Sequence, residues 1–335
     1  MNRRTWLLRA ISPLVASVLG STRPRDPTRK FPEPTYTNPI LAQDFPDPFV
    51  LRHEGVFHAY ATQRGNRNLQ HATSEDLIHW KPGEVVVENV FSRRHLWAPE
   101  VVRLGDRFVM TYSALDPLSR KHHIAVATSD APEGPFLHRD ILVRGDDNQV
   151  GVIDATIFLD GPTPYLIYSE ETPRRIVLRR LQPDGLAVLP DPPVRILRPD
   201  QAWEQGVTEA PTLLKRENQY VLIYSGGHYQ GTRESCRYAV GFALADEITG
   251  PYRKAAEPFL QSVPDRVIGP GHQCLVTTPN GDTWLLYHAW DSEKEPRYGS
   301  NPLGRTLRLD RLTWDGPRPQ PLIPSTEPMP APVLN

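Results

Sequence analysis

The sequence predicts an all-β fold, a five-bladed β-propeller in a single domain. Three observations predict it. Five times, an acidic residue or a histidine opens a short apolar run that passes a turn and closes on a tyrosine. The segments are Asp47 to Tyr60, Glu100 to Tyr112, Asp154 to Tyr168, Glu209 to Tyr224 and His272 to Tyr287. Their openings fall roughly 50 to 60 positions apart, in the range of propeller repeats. The 36 prolines and 22 glycines, with no long capped amphipathic pattern, favour many turns and few long helices.

Along the chain, the first segment reads as an address. Arg3 and Arg4 precede Trp6-Leu7-Leu8 and an apolar stretch from Ala10 to Gly20, the order of an export signal. The stretch is too short for a membrane-spanning helix, which needs about 20 apolar residues. Residues 21–35 are rich in proline and charge and read as a linker. Residues 1–35 are thus expected to be an export segment and linker, with the protein periplasmic or secreted. Residues 36–316 carry the five repeats, and the proline-rich residues 317–335 are expected to pack loosely or wrap along the surface.

Within the repeats the strand grammar is regular. Phe49-Val50-Leu51 and Val56 to Tyr60 flank His53-Glu54-Gly55, a hairpin signal. Gly105-Asp106, Gly161, Glu217-Asn218 and Asn280-Gly281 occupy the matching turns. A second pair of strands follows in most repeats and ends in related turns, such as Ala127-Thr128-Ser129-Asp130 and Ala243-Leu244-Ala245-Asp246. Four short strands per unit, five times over, describe a propeller whose blades bury one another. A β-sandwich would not repeat one hairpin five times, and solenoid repeats are usually shorter.

Composition narrows the partners. With 38 basic and 39 acidic side chains there is no electrostatic footprint for nucleic acid, and no segment suits a membrane. The hydrophobic share, 39%, suffices for a packed core. Cys236 and Cys274 lack zinc-like or C-x-x-C spacing, and pairing and free thiols both stay open.

The innermost strand of each propeller blade runs along the central channel, so Asp47, Glu100, Asp154, Glu209 and His272 are candidates for one pocket at its mouth. Carboxylates gathered there repel, which raises one pKa and depresses another and divides them into proton donor and base. Glycosidic bond hydrolysis uses such a pair. Trp97 before Glu100, Phe45 before Asp47 and Trp203 before Glu209 are aromatics of a kind found more often in a core than against a ligand; as candidates to offer a ring to a sugar face, Trp97 is the best placed.

The motifs then converge. Asp44-Phe45-Pro46-Asp47-Pro48, Leu96-Trp97-Ala98-Pro99-Glu100, Ile153-Asp154-Ala155-Thr156, Glu209-Ala210-Pro211-Thr212 and Gly269-Pro270-Gly271-His272 stand in order with Tyr287-His288-Ala289-Trp290, Arg305 and Leu312 to Gly316. Together they resemble glycoside hydrolase family 43, from about Asn38 to Gly316. The resemblance implies an inverting hydrolase of α-L-arabinofuranosides and β-D-xylosides on a five-bladed propeller. It implies Asp47 as general base, Glu209 as general acid and Asp154 as the residue that tunes and orients the acid. Inversion needs the two carboxyl groups about 6.5–9.5 Å apart. Arg305 is implied to contact substrate, and His272 to lie near the axis beside a calcium ion and its waters. No organic cofactor is implied.

Two positions depart from the family pattern. Ala155 replaces a usual proline after the third-blade acid, and Glu100 stands where aspartate is commoner, which fits a supporting role. The expected activity is release of L-arabinofuranose from arabinan- or arabinoxylan-type oligosaccharides, with β-D-xylosidase the nearest rival. Fructan-cleaving family 32 is disfavoured, because the middle blade lacks Arg-Asp-Pro and no Glu-Cys pair is present. A non-catalytic carbohydrate-binding propeller or a protein-binding scaffold would have no use for intact Asp47, Asp154 and Glu209.

Overall fold

The structure, a computed structural model, describes residues 34–65, 67–145 and 151–334. The expected export segment and nearly all of the linker lie outside the described residues.

After a short β1 (Thr35–Tyr36), blade I is formed by β2 (Phe49–His53), β3 (Val56–Ala61), β4 (Leu69–Ser74) and β5 (Lys81–Val85). Blade II places β6 (Val87–Glu88) parallel to the outer strand of β7 (Trp97–Leu104), β8 (Arg107–Leu115), β9 (His122–Ser129) and β10 (Phe136–Val143). Blade III is β11 (Val152–Asp160), β12 (Thr163–Glu171), β13 (Arg174–Arg180) and β14 (Val194–Leu197). A 3-10 turn, Ala202–Glu204, leads into blade IV: β15 (Glu209–Arg216), β16 (Gln219–Gly226), β17 (Ala239–Ala245) and β18 (Arg253–Lys254). Blade V holds only three strands, β19 (Val267–Thr277), β20 (Thr283–Asp291) and β21 (Arg305–Leu312).

The four-strand expectation therefore fails in blade V, and the chain's other end supplies the missing edge. Ile40 N–H donates to Leu307 O at 3.0 Å and Leu307 N–H to Leu41 O at 3.3 Å. The Asn38 amide brackets Leu309, donating to its carbonyl at 2.8 Å and accepting from its N–H at 2.9 Å. The first described residues thus close the ring against the last blade, satisfying an edge that would otherwise be left open. The proline-rich end wraps along the surface. β22 (Trp314–Asp315) pairs with β23 (Arg318–Pro319), Leu322 N–H donates to Phe259 O at 2.7 Å, and β24 (Met329–Pro330) pairs with β1.

Period-2 alternation decides which neighbour each side chain meets. On β16, Val221 and Ile223 pack with Leu285 and Tyr287 of blade V, while Leu222 and Tyr224 pack with Ile167 and Ile176 of blade III. Tyr60 and Tyr112 fill the seam between blades I and II, Val109 and Tyr168 that between II and III, Phe57 and Trp284 that between V and I. Each such large side chain contributes roughly 1.5–3 kcal/mol on burial. The repeated tyrosine is thus a seam residue. Cys236 and Cys274 are buried free thiols in different clusters, so they do not pair.

Candidate active site

The channel mouth is built from a kink repeated once per blade. At Asp47, Ala98, Asp154, Ala210 and His272 the backbone turns left-handed, with φ of 57°, 44°, 56°, 51° and 47°. In blades II to V the kink coincides with a bulge in the innermost pairing, between Trp97 and Glu100, Ile153 and Thr156, Glu209 and Thr212, and Gly271 and Cys274. Bulges re-aim side chains, and a non-glycine residue held left-handed costs of order 1–3 kcal/mol.

The preceding blade offsets part of that cost by accepting the freed N–H. Ala98 N–H donates to Thr62 Oγ1 at 2.9 Å, Asp154 N–H to Ser113 Oγ at 3.2 Å, and His272 N–H to Ser225 Oγ at 2.9 Å. Asp47 N–H donates to His288 Nδ1 at 3.0 Å, across the closure of the ring. Blade IV differs. Ala210 N–H goes to Asp154 Oδ2 at 3.2 Å, and Ser169, in the matching place, keeps a buried hydroxyl without a partner. That exception ties the Asp154 carboxylate to the residue following Glu209.

This register corrects the five-fold reading of the opening residues. The equivalent set is Asp47, Ala98, Asp154, Ala210 and His272, so Glu209 stands one residue before its blade's kink and Glu100 two after. A one-residue step along a strand changes the face a side chain meets. Glu209 accordingly belongs with Trp97 and Ile153, while Glu100 lies deeper, beside Phe49 and Thr156, at a void of about 180 Å³ outside the cavity at the channel mouth. Burial pushes its carboxyl up to about 7.

The cavity at the channel mouth, about 420 Å³, brings together Asp47, Asp154, Glu209, His272, Trp97 and Arg305. That volume suits a small ligand. Phe45 does not join them. Its ring is fully buried with Tyr36, Phe57 and Leu307, and its N–H donates to Arg305 O at 2.9 Å. The expectation of a sugar-facing Phe45 is corrected: it positions the Arg305 strand from the core. Trp203 likewise packs against Tyr224 at 5.7 Å, away from this cavity.

The three acids sit in different surroundings. Asp47 Oδ1 meets Arg305 Nη1 at 2.8 Å and His272 Nδ1 at 3.3 Å, and Oδ2 accepts from Thr62 Oγ1. Burial opposes its charge, but Arg305 and then His272 outweigh burial and hold the carboxyl well below the usual range. Arg305 is itself clamped by Tyr298, whose hydroxyl receives its Nε at 3.0 Å and Nη2 at 2.7 Å, and it lies over the Tyr229 ring. Asp154 has no such cation in contact, and burial raises its pKa despite His272. Glu209 Oε1 accepts from Tyr238 OH at 2.8 Å, and Arg174 reaches Oε2. Tyr238 approaches so closely because residue 271 is glycine; a Cβ there would enter the ring.

The two histidines divide similarly. Burial disfavours charge on His272, but Asp47 and Asp154 outweigh it and raise its pKa. Burial and Arg305 push His288 well below the imidazole range, which keeps its Nδ1 free to accept from Asp47 N–H. The donors around His272 do not suit a protein-held calcium. Calcium takes about 6–8 oxygen ligands, whereas His272 offers nitrogen and its Nδ1 faces Asp47. Among the described residues no group of three or more His, Cys, Asp or Glu side chains could hold a metal ion. A calcium ion here would rest chiefly on water, and no step below passes through one.

Arg174, Tyr238, Tyr298 and His288 were not singled out from the sequence. His288 follows its blade's tyrosine as Ser113, Ser169 and Ser225 follow theirs, a signal that could have found it. Arg174 and Tyr298 come from connections whose course no local pattern encodes.

The sequence profile described as glycosyl hydrolases family 43 matches residues 36–317. The chain is 24% identical over 277 residues to the β-D-galactofuranosidase xynD of Aspergillus niger, covering 75% of each protein. It is 26% identical over 287 residues to a probable arabinan endo-1,5-α-L-arabinosidase A of Aspergillus flavus, covering 77% of this chain and 86% of that one. Among solved structures, a thermostable family-43 glycoside hydrolase superposes with a TM-score of 0.81 at 30% identity, over 90% of this chain and 100% of the other. With the profile spanning the whole propeller and its kinked acids, the chain belongs to glycosyl hydrolases family 43.

Proposed function

We propose that the protein is an inverting glycosidase that releases L-arabinofuranose from arabinan- or arabinoxylan-type oligosaccharides. One observation carries the reading: Asp47, Asp154 and Glu209 meet in one cavity at the channel mouth, each in a different electrostatic setting. Asp47, ionised beside Arg305, takes a proton from water as the water oxygen attacks the anomeric carbon. Glu209 delivers its proton to the glycosidic oxygen as that bond breaks, and Asp154, tied to Ala210, orients and tunes it. Trp97 offers its indole to the sugar, and Arg305 binds a sugar hydroxyl while holding Asp47. Furanoside substrates are favoured because the two curated relatives above are named for β-D-galactofuranoside and α-L-arabinan. Export belongs to the same proposal and rests on Arg3, Arg4 and the apolar stretch after them.

The test pairs an aryl α-L-arabinofuranoside with an aryl β-D-xyloside on purified protein, following the anomer of the first product by NMR. Faster arabinofuranoside cleavage with inversion is expected. A xyloside cleaved far faster would move the substrate assignment to β-D-xylosides, and retention of configuration would sink the assigned roles of Asp47 and Glu209.

A further inference from the structure

Trp203, which takes no part in the cavity at the channel mouth, lies in a slot between two strands of blade IV. Tyr224 and Gly226 of β16 share a face with their partners Gly241 and Ala239 on β17. A Cβ on Gly226 or on Gly241 would enter the six-membered ring of the indole, and the Tyr224 ring stacks against it with centroids 5.7 Å apart. The indole N–H is already engaged, donating to Gln201 Oε1 at 2.6 Å. Part of the ring is thus covered. The partly exposed remainder lines a depression of about 680 Å³.

The turn that carries Trp203 is anchored by its neighbour. Glu204 is fully buried, and its carboxylate accepts from Asp200 N–H at 2.7 Å, Gln201 N–H at 2.8 Å, Tyr224 OH at 2.8 Å and Lys254 Nζ at 2.6 Å. Its carbonyl accepts from Val207 N–H at 2.8 Å and Gly227 N–H at 2.9 Å. A buried carboxylate is tolerated only with partners of this kind. The ring beside it is therefore held in place before any ligand arrives, which lowers the ordering cost of binding.

The rest of the depression selects the ligand class. Arg233 and Arg237 are balanced by Glu234 and Asp265, so the rim carries no net charge and gives an anion no advantage. Gln205 and Gln261 are exposed there, and each amide offers two donors and a carbonyl acceptor. A flat apolar ring bordered by amides suits a sugar, whose C–H face lies on the indole while its hydroxyls take the hydrogen bonds. Tyr238 lines both this depression and the cavity at the channel mouth, where its hydroxyl donates to Glu209 at 2.8 Å. The two are neighbours across one side chain.

We propose that the Trp203 depression is a second carbohydrate-binding site, which holds a neutral polysaccharide chain on the surface beside the cavity. Trp203 stacks on a sugar ring, and Gln261 hydrogen-bonds its hydroxyls. Such a site raises the local concentration of polymer and leaves the chemistry at Asp47 and Glu209 unchanged. The choice of arabinan or arabinoxylan as that polymer rests on the proposed function.

Two variants test it. Trp203→Leu keeps apolar bulk in the slot and removes the flat ring, whereas Gln261→Ala trims an exposed amide. Each is run beside the wild type in native gels cast with linear arabinan or with arabinoxylan, then assayed on the same polymers and on 4-nitrophenyl α-L-arabinofuranoside. At least one polymer should retard the wild type. Trp203→Leu is expected to weaken that binding and kcat/KM on the polymer about tenfold, the loss of one aromatic anchor, and Gln261→Ala about threefold. Both should keep the aryl rate within about twofold, an aryl β-D-xyloside serving if the wild type prefers xylosides. A wild type retarded by neither polymer overturns the inference. So does either variant binding polymer as the wild type does, or losing polymer and aryl rates equally. Binding is read without cleavage, so a protein retarded through Trp203 that releases no sugar would refute the proposed function and leave the site standing.

Discussion

Replacing Glu209 by glutamine exchanges one carboxyl oxygen for an amide nitrogen, which keeps the shape and removes the transferable proton. The amide oxygen still accepts from Tyr238 OH, now 2.8 Å from Oε1, and the partly exposed Arg174 can turn to water. The fold should therefore persist, with unchanged circular dichroism and a melting temperature close to the parent's. Loss of a general acid typically lowers the rate 10²- to 10⁴-fold, or about 2.7–5.4 kcal/mol at 1.36 kcal/mol per decade. That loss should appear only where the leaving group needs the proton. On α-1,5-arabinobiose the departing alkoxide is a poor leaving group, and kcat should fall by the full factor. On 4-nitrophenyl α-L-arabinofuranoside the phenolate leaves as a stable anion, and the fall should be tenfold or less. The upper limb of the pH profile should also flatten, because the group that must stay protonated is gone. If both substrates lose rate equally, or neither does, Glu209 does not protonate the leaving oxygen.

Other residues give further outcomes. Arg305→Met removes the main cation that holds Asp47 ionised, so the acid limb of kcat/KM should move to higher pH, with a 10- to 100-fold loss from the charged hydrogen bond. An unmoved limb would count against Arg305 as the dominant partner. Gly271→Ala forces Tyr238 off its position and should reduce kcat at least tenfold while destabilising by about 1–3 kcal/mol in urea titration. Unchanged activity would show that the Tyr238 contact to Glu209 is dispensable. Asp76 is a stability probe away from the cavity. Burial opposes its charge, but hydrogen bonds from His79, Ile78 and Ser74 outweigh it and hold its pKa at about 2. Its contribution is fully present above the unfolded carboxyl's titration near ~3.9 and is lost as pH falls through the folded value. The melting temperatures of wild type and Asp76→Asn should therefore differ at pH 6 and converge toward pH 2; a constant gap would contradict this.

The fold was legible because propeller blades repeat themselves. One hairpin grammar ending at Tyr60, Tyr112, Tyr168, Tyr224 and Tyr287 is a period-2 signal that survives changes in individual residues, and it fixes the blade count. The register at the axis was not legible. In blades II to V the innermost strand carries an extra residue at its kink, and an alignment on apolar runs places Glu209 and Glu100 in the same row as Asp47. Only the left-handed backbone at Ala98 and Ala210 reveals the true row. Asp154 and His272 were found because their kink and their acid or imidazole coincide. An aromatic beside an acid can face either core or ligand, and Phe45 faces the core because at that point the last blade's Arg305 strand covers it. Arg174 escaped notice because its link to Glu209 is a tertiary accident of the turn after Glu171.

Ring closure by the chain's two ends sets a clock on the site. Asp47 takes its guanidinium from a residue 258 positions later and its imidazole acceptor from one 241 positions later. At ribosomal speeds of about 5–20 residues per second, Asp47 leaves the ribosome roughly ten seconds to a minute before Arg305. Throughout that interval the first four blades can assemble, but the aspartate lacks the charge that keeps it ionised when buried. Premature termination anywhere before Arg305 therefore leaves Asp47 without its guanidinium and blade V without β21. In a cell-free synthesis reaction, the first appearance of sugar release would time the docking of the final blade.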